Sequence, residues 1–160
     1  MLKTQDIQIK RYKEVETRIS HFSQQDLLPI GQTLVLNLET RTVSLLSDGP
    51  MQIVEQQLSA NEMHLFVPIL ESFPHYCPYA VLLSHIFTNT VTEASIARCF
   101  QRLQDAHACG KWQQELRPVR RALSSLRKKL HRFGLEIANI RERGCNLTSL
   151  TVKSPTFLEL

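Results

Sequence analysis

The segment from Arg117 to Leu150 constrains the fold of this chain more than any other. It holds a helical pattern studded with arginine and lysine, a stop at Gly134, and two short apolar strand patterns separated by Arg143-Gly144. Pro118 fixes φ at a first-turn position where its missing N–H costs nothing, and Gly134 stands where a left-handed C-cap is needed. A helix over about 118–133 is therefore marked at both ends. Val119, Leu123, Leu126 and Leu130 recur at helical spacing and share one face, the pattern of a helix laid on a core. At about 100° per residue, the opposite face carries Arg117, Arg121, Ser124 and Lys128, flanked by Arg120, Ser125, His131 and Arg132. No acidic residue interrupts the stretch from Arg117 to Leu135.

Cations crowded on one face repel one another, and phosphate relieves that repulsion while releasing its own counterions. Small Ser124 and Ser125 leave room for close approach. A charge run by itself reads equally well as a solvated basic face, and the hairpin pattern that follows is what tilts the reading towards double-stranded DNA. Leu135, Ile137 and Ile140 form a strand pattern, and Arg143-Gly144 reads as a tight turn before Cys145-Asn146-Leu147. Arginine at such a turn is placed to enter a minor groove or meet phosphate.

The same residues resemble a known family, the OmpR/PhoB-type winged-helix DNA-binding domains of bacterial transcription regulators. Val119 to Leu130, ending Leu126-Arg127-Lys128-Lys129-Leu130, is similar to the family's recognition-helix pattern ending L-R-[RK]-K-L. Ile137 to Leu147 is similar to its I-x-T-V-R-G-x-G-Y-x-L wing, with Glu142 in place of glycine and Cys145 in place of tyrosine. Ser59-Ala60-Asn61-Glu62, a capping-box sequence ahead of Met63, Phe66, Val67 and Leu70, looks like the L-T-x-x-E element that opens the family's first helix. The resemblance implies an α+β winged helix-turn-helix: a small N-terminal antiparallel sheet, a three-helix core and a C-terminal β-hairpin wing.

Upstream, Leu34–Leu38, Val43–Leu46 and Met51–Glu55 are short apolar segments separated by turn residues, which predicts three strands. Pro68 inside the first helical pattern predicts a kink or an early end. A second helix is expected from Pro78 to Phe87. Between Thr88 and Leu116 the chain is longer than the family's usual connection. Ile96, Cys99, Phe100 and Leu103 after a Thr92 cap predict an inserted helix from about Glu93 to Ala108, ended by Gly110. In activators of this fold the corresponding loop is linked to RNA polymerase; added core packing is the plainer role here. Trp112 could anchor a partner, although a lone tryptophan is more often packed.

The expected domain layout is an N-terminal extension over 1–30, one domain over 31–150 with its insertion at about 88–116, and a tail over 151–160. Ile7, Tyr12, Val15 and Ile19 hint at a helical stripe in the extension, with a homodimer contact as its functional alternative. In 160 residues no phosphate-accepting receiver domain is expected beside this one, and the net charge of +4 matters through its concentration and not its total. Cys77, Cys99, Cys109 and Cys145 form no C-x-x-C pair and no signal sequence precedes them, so the expected setting is the reducing cytoplasm. No apolar run approaches the roughly 20 residues that span a bilayer, so no membrane partner is expected.

His75 with Cys77, and His107 with Cys109, lack a second pair at zinc-site spacing, so no metal is expected. Phosphate-binding glycine loops and the G-x-S-x-G and H-E-x-x-H motifs are missing, and neither an enzyme nor a cofactor is expected. The leading expectation is a sequence-specific double-stranded DNA-binding transcriptional regulator. Arg117, Arg121, Ser124 and Lys128 face bases in the major groove, Arg120, Arg127 and Arg132 grip the backbone, and Arg141 and Arg143 on the wing (about 137–147) meet the minor groove. The alternative is a winged-helix adaptor that contacts RNA polymerase or another regulator. RNA has less support, because no aromatic platform for unstacked bases is evident.

Overall fold

Period-two alternation places Leu34, Leu36 and Val43 on one buried face of two adjacent strands, β3 (Gln32–Asn37) and β4 (Thr42–Ser47). In the computed structural model, which describes residues 7–11, 18–22, 26–48 and 54–150, these strands belong to a five-stranded antiparallel meander. Its order follows the chain: β1 (Ile7–Arg11), β2 (Arg18–Phe22), β3, β4 and β5 (Val54–Gln57). Leu36 lies opposite Val43, and Ser20 opposite Leu36. The β3–β4 turn is closed by Asn37, whose Oδ1 accepts from the backbone N–H groups of Glu39 and Thr40 at 3.1 Å each, while Arg41 takes φ 56.

The described residues fall into two units. The first comprises the chain up to Ser59, Lys129–Glu136 and the chain from Thr148 onward. Beside the meander it contains the end of the basic helix, where Lys129 Nζ donates to the Gln57 carbonyl (3.2 Å) and Arg132 Nη1 to Gln56 Oε1 (2.8 Å). Two expectations are corrected here. Five strands form where three were expected, and Ile7 and Ile19, read as part of a helical stripe, lie in β1 and β2, while Tyr12 and Val15 of that stripe lie outside the described residues. The physical reason is the free edge of β3, whose unpaired backbone groups take up β2, and β2 in turn β1. The tail expected over 151–160 also lies outside the described residues.

The second unit comprises Ala60–Lys128 and Ile137–Leu147. Its first helix, α1 (Ala60–Ser72), starts directly after Ser59, where the capping sequence predicts, but it neither ends nor breaks at Pro68. Pro68 is itself buried, as are Leu65, Phe66 and Ile69. Packing of that face offsets the proline penalty of about 3 kcal/mol, and the Ser72 hydroxyl donates to the Pro68 carbonyl (2.8 Å) in the last turn.

A two-residue strand, β6 (Cys77–Pro78), leads into α2 (Tyr79–Phe87), with Pro78 as N-cap. The inserted helix forms as α3 (Glu93–Ala108). Thr92 and Ser95 complete a reciprocal capping box, and Gly110 follows the C-cap at φ 71 while Lys111 N–H reaches back to the Ala106 carbonyl (2.7 Å). Buried Ser84 and Ser95 share a 2.7 Å hydroxyl hydrogen bond that ties α2 to α3. A single turn, α4 (Trp112–Glu115), was not anticipated; Arg102 of α3 holds it through Glu115 at 2.6 Å. The basic helix is α5 (Arg117–Leu130), continued by one tighter turn at His131–Phe133 and capped by Gly134 at φ 72. Val119, Leu123, Leu126 and Leu130 are buried.

Strands β7 (Leu135–Ile140) and β8 (Gly144–Ser149) form a hairpin, and β8 also pairs with β6, giving the order β6-β8-β7. Arg143-Gly144 is not the turn. The turn is Arg141-Glu142-Arg143, closed by Arg143 N–H to the Ile140 carbonyl (3.0 Å), and Gly144 is the first strand residue, opposite Pro78. Glu142 takes the left-handed conformation at φ 60 that the reversal demands.

Candidate functional site

Burial of Val119, Ala122, Leu123 and Leu126 turns the other face of α5 outward, and Arg117, Arg120, Arg121, Ser124, Ser125 and Lys128 are exposed on it. Within the second unit this face borders a cleft of about 800 Å³. Arg117, Arg120, Arg121 and Arg127 of α5 line it together with Arg141 of the hairpin turn, against a single carboxylate among the described residues, Glu142. Tyr79, Trp112, Leu116 and Leu123 also contribute to its lining.

The five arginines are not equivalent. Arg120 donates to Gln113 of α4. Arg127, only partly exposed, donates from Nε to the Ile137 carbonyl (3.0 Å) and from Nη2 to Asn139 Oδ1 (2.6 Å). The Arg127 guanidinium, expected at a nucleic-acid backbone, faces the rising strand of the hairpin and ties it to α5. Arg117, Arg121 and Arg141 have no protein partner among the described residues.

Other expected site residues are placed elsewhere. Arg143 lines a second cleft, of about 1120 Å³, with Ile96, Phe100, His107 and Trp112, so the two turn arginines flank different cavities. Glu142, between them at the left-handed position of the turn, lines both. His131 and Arg132 belong to the first unit, where Arg132 is held by Gln56. The Ser125 hydroxyl donates back to the Ala122 carbonyl (3.1 Å). Lys128 is exposed but does not line the cleft.

Tyr79, Gln113 and Asn139 were missed as site residues, since neither periodicity nor charge marks them. Trp112 packs, as a lone tryptophan more often does, edge-on to Tyr79 (6.1 Å) and to His107 (5.8 Å). Behind the cleft, Cys145 donates its S–H to Asn139 Oδ1 (3.2 Å), the oxygen that also receives Arg127. Burial pushes the Cys145 thiol up to about 11, partly countered by Arg127, and pushes Cys77, directly opposite it in the β6–β8 pair, up to about 12. Burial also raises Tyr79 to about 12, with Cys145 adding to the effect.

Both thiols are therefore protonated at neutral pH and shielded. Iodoacetamide at pH 8 is expected to alkylate exposed Cys109 in the native protein and to reach Cys77, Cys99 and Cys145 only after urea unfolding, read by intact mass. Native labelling of Cys145 as fast as Cys109 would contradict the packing behind the cleft.

Among the described residues no group of three or more His, Cys, Asp or Glu is gathered to hold a metal ion. No helix among them is long and apolar enough to cross a membrane. No family model, curated protein or solved structure matches this chain.

Proposed function

We propose that the chain is a winged helix-turn-helix protein that binds double-stranded DNA in a sequence-specific manner and regulates transcription. The observation that carries this reading is the set of three guanidinium groups without a partner among the described residues, Arg117 and Arg121 on α5 and Arg141 on the hairpin turn, gathered at one cleft. Arg117, Arg121, Ser124 and Lys128 project from the helix towards base edges and adjacent phosphates, and Arg141 meets the backbone or the minor groove beside them. Phosphate contacts set register while base-edge contacts specify sequence, so a cationic helix next to a cationic hairpin supplies both. Arg120 and Arg127 act by holding α4 and the hairpin in place.

Selection from a random duplex pool, followed by a salt titration of the selected sequence, tests the reading. Four cations that each neutralise a phosphate give a slope of log K against log salt of about −3.6. A flat salt dependence, or a pool that never enriches, overturns it. Enrichment of a repeated half-site would add a homodimer.

Arg127 supplies a second test. Arg127→Met is expected to speed amide exchange across Ile137–Ile140 and to weaken the selected duplex ~10-fold with the salt slope unchanged, because the lost interaction is internal. A slope shallower by about 0.9 would instead make Arg127 a direct phosphate contact.

A second reading, a protein-interaction adaptor for RNA polymerase or another regulator, draws on one observation. Phe100 is 55% exposed on α3 and lines the second cleft with Ile96, Ala97 and Leu103. That reading requires binding to a protein partner that is insensitive to salt.

A further inference from the structure

The arginine cleft has a property that a duplex does not use. Leu116 and Leu123 in its lining are each 2% exposed, and Tyr79 is 9% exposed, so the cavity is recessed down to the apolar core and ends on an aromatic wall of Tyr79 and Trp112. A duplex backbone presents phosphate and sugar and gains little from an aromatic wall. The volume of about 800 Å³ falls in the range of small-molecule sites, about 300–1,000 Å³, and the lining is mainly polar, as a charged ligand requires.

We propose that this cleft binds a nucleoside di- or triphosphate. Arg117 and Arg121, one helical turn apart on α5, take the phosphates, and Arg141 closes on them from the hairpin turn. Guanidinium forks match phosphate oxygens in pairs, and none of the three has a protein partner among the described residues that must first be displaced. The base lies against Trp112 and Tyr79. Glu142, the one carboxylate among the described residues of the lining, already faces His107 Nε2 through Oε1 (3.6 Å) and repels phosphate, which leaves the phosphates to the arginines and the Trp112 side to the base. The regulatory consequence rests on the DNA reading above: a bound nucleotide neutralises Arg117, Arg121 and Arg141 and therefore competes with the duplex.

Trp112 is the only tryptophan in the chain and lines both clefts, so its fluorescence reports binding without any DNA present and the arginine variants below assign the signal to this cleft. The full chain is titrated with ATP, GTP, adenosine and inorganic tripolyphosphate, with calorimetry in parallel. ATP or GTP is expected to change the emission saturably, with tripolyphosphate ~10-fold weaker or worse and adenosine not saturating. Arg121→Gln and Arg141→Gln, both at exposed positions, are each expected to raise the half-saturation concentration ~10-fold while the circular dichroism is unchanged.

The proposal is overturned if neither nucleotide gives a saturable signal or heat, if tripolyphosphate binds as tightly as ATP and GTP, or if both arginine variants bind as the parent does. Adding a labelled duplex separates this proposal from the function above. Nucleotide binding by a chain that binds no DNA leaves the cleft assignment standing and removes the DNA reading. DNA binding without a nucleotide response does the reverse.

Discussion

Gly144→Ala is expected to lower the stability of the protein by about 3 kcal/mol, read as a shift of the urea midpoint. A Cβ at this position would overlap the Cys77 carbonyl oxygen and stand 2.7 Å from the Cys77 carbonyl carbon and 2.9 Å from Pro78 Cα. All three atoms belong to the backbone of the paired strand, so no rotamer change makes room. The strands must separate, and with them goes the hydrogen bond from Tyr79 N–H to the Arg143 carbonyl (3.0 Å) that docks the start of α2 on the hairpin turn. Gly110→Ala is the matched control. Gly110 has φ 71 and nothing within 4 Å of a built Cβ, so only backbone strain of about 1–2 kcal/mol applies. Equal losses from the two substitutions would mean that close approach of β6 and β8 is not what requires glycine at 144.

Arg117→Ala combined with Arg121→Ala is expected to weaken the selected duplex by about 2–6 kcal/mol, taking about 1–3 kcal/mol for each specific contact. The salt slope should become shallower by roughly 1 to 2. Folding stability should change by less than about 0.5 kcal/mol, because both side chains are exposed and neither has a partner among the described residues. Arg132→Ala is the internal comparison: its guanidinium is engaged with Gln56 in the first unit, and a smaller loss of duplex affinity is expected. A double variant that binds as tightly as the parent would remove α5 from the interface.

The four longer helices were legible because their signals are local. Thr92 and Ser95 sit three apart and cap each other, Gly110 and Gly134 carry the positive φ that ends a helix, and the four apolar residues of α5 need only a period to be found. The exposed faces followed from the same periodicity. What failed depended on partners distant in sequence. Nothing in Ile7-Gln8-Ile9 shows that β2 will offer it an edge. Nothing near Pro68 shows that the ring will be buried.

Two turn residues illustrate the same limit. Arg143-Gly144 read as a turn because glycine is common in turns, yet its lack of a Cβ is needed for the approach of Cys77. The left-handed conformation falls instead on Glu142, the position where the resembling family pattern has glycine.

The amino-acid order alone set where α3 and α5 begin and end, which face of α5 is cationic, and that a hairpin follows. Capping, propensity and periodicity act over four or five residues and carry that information without reference to the rest of the chain. Only the tertiary structure decided which arginines are available. Arg127 and Arg120 are held by Asn139 and Gln113, Arg141 and Arg143 part to different clefts, and Arg117, Arg121 and Arg141 meet around one cavity. Whether a guanidinium is free or bound depends on the oxygen that packing brings within about 3 Å, and that distance is fixed by contacts between segments far apart along the chain.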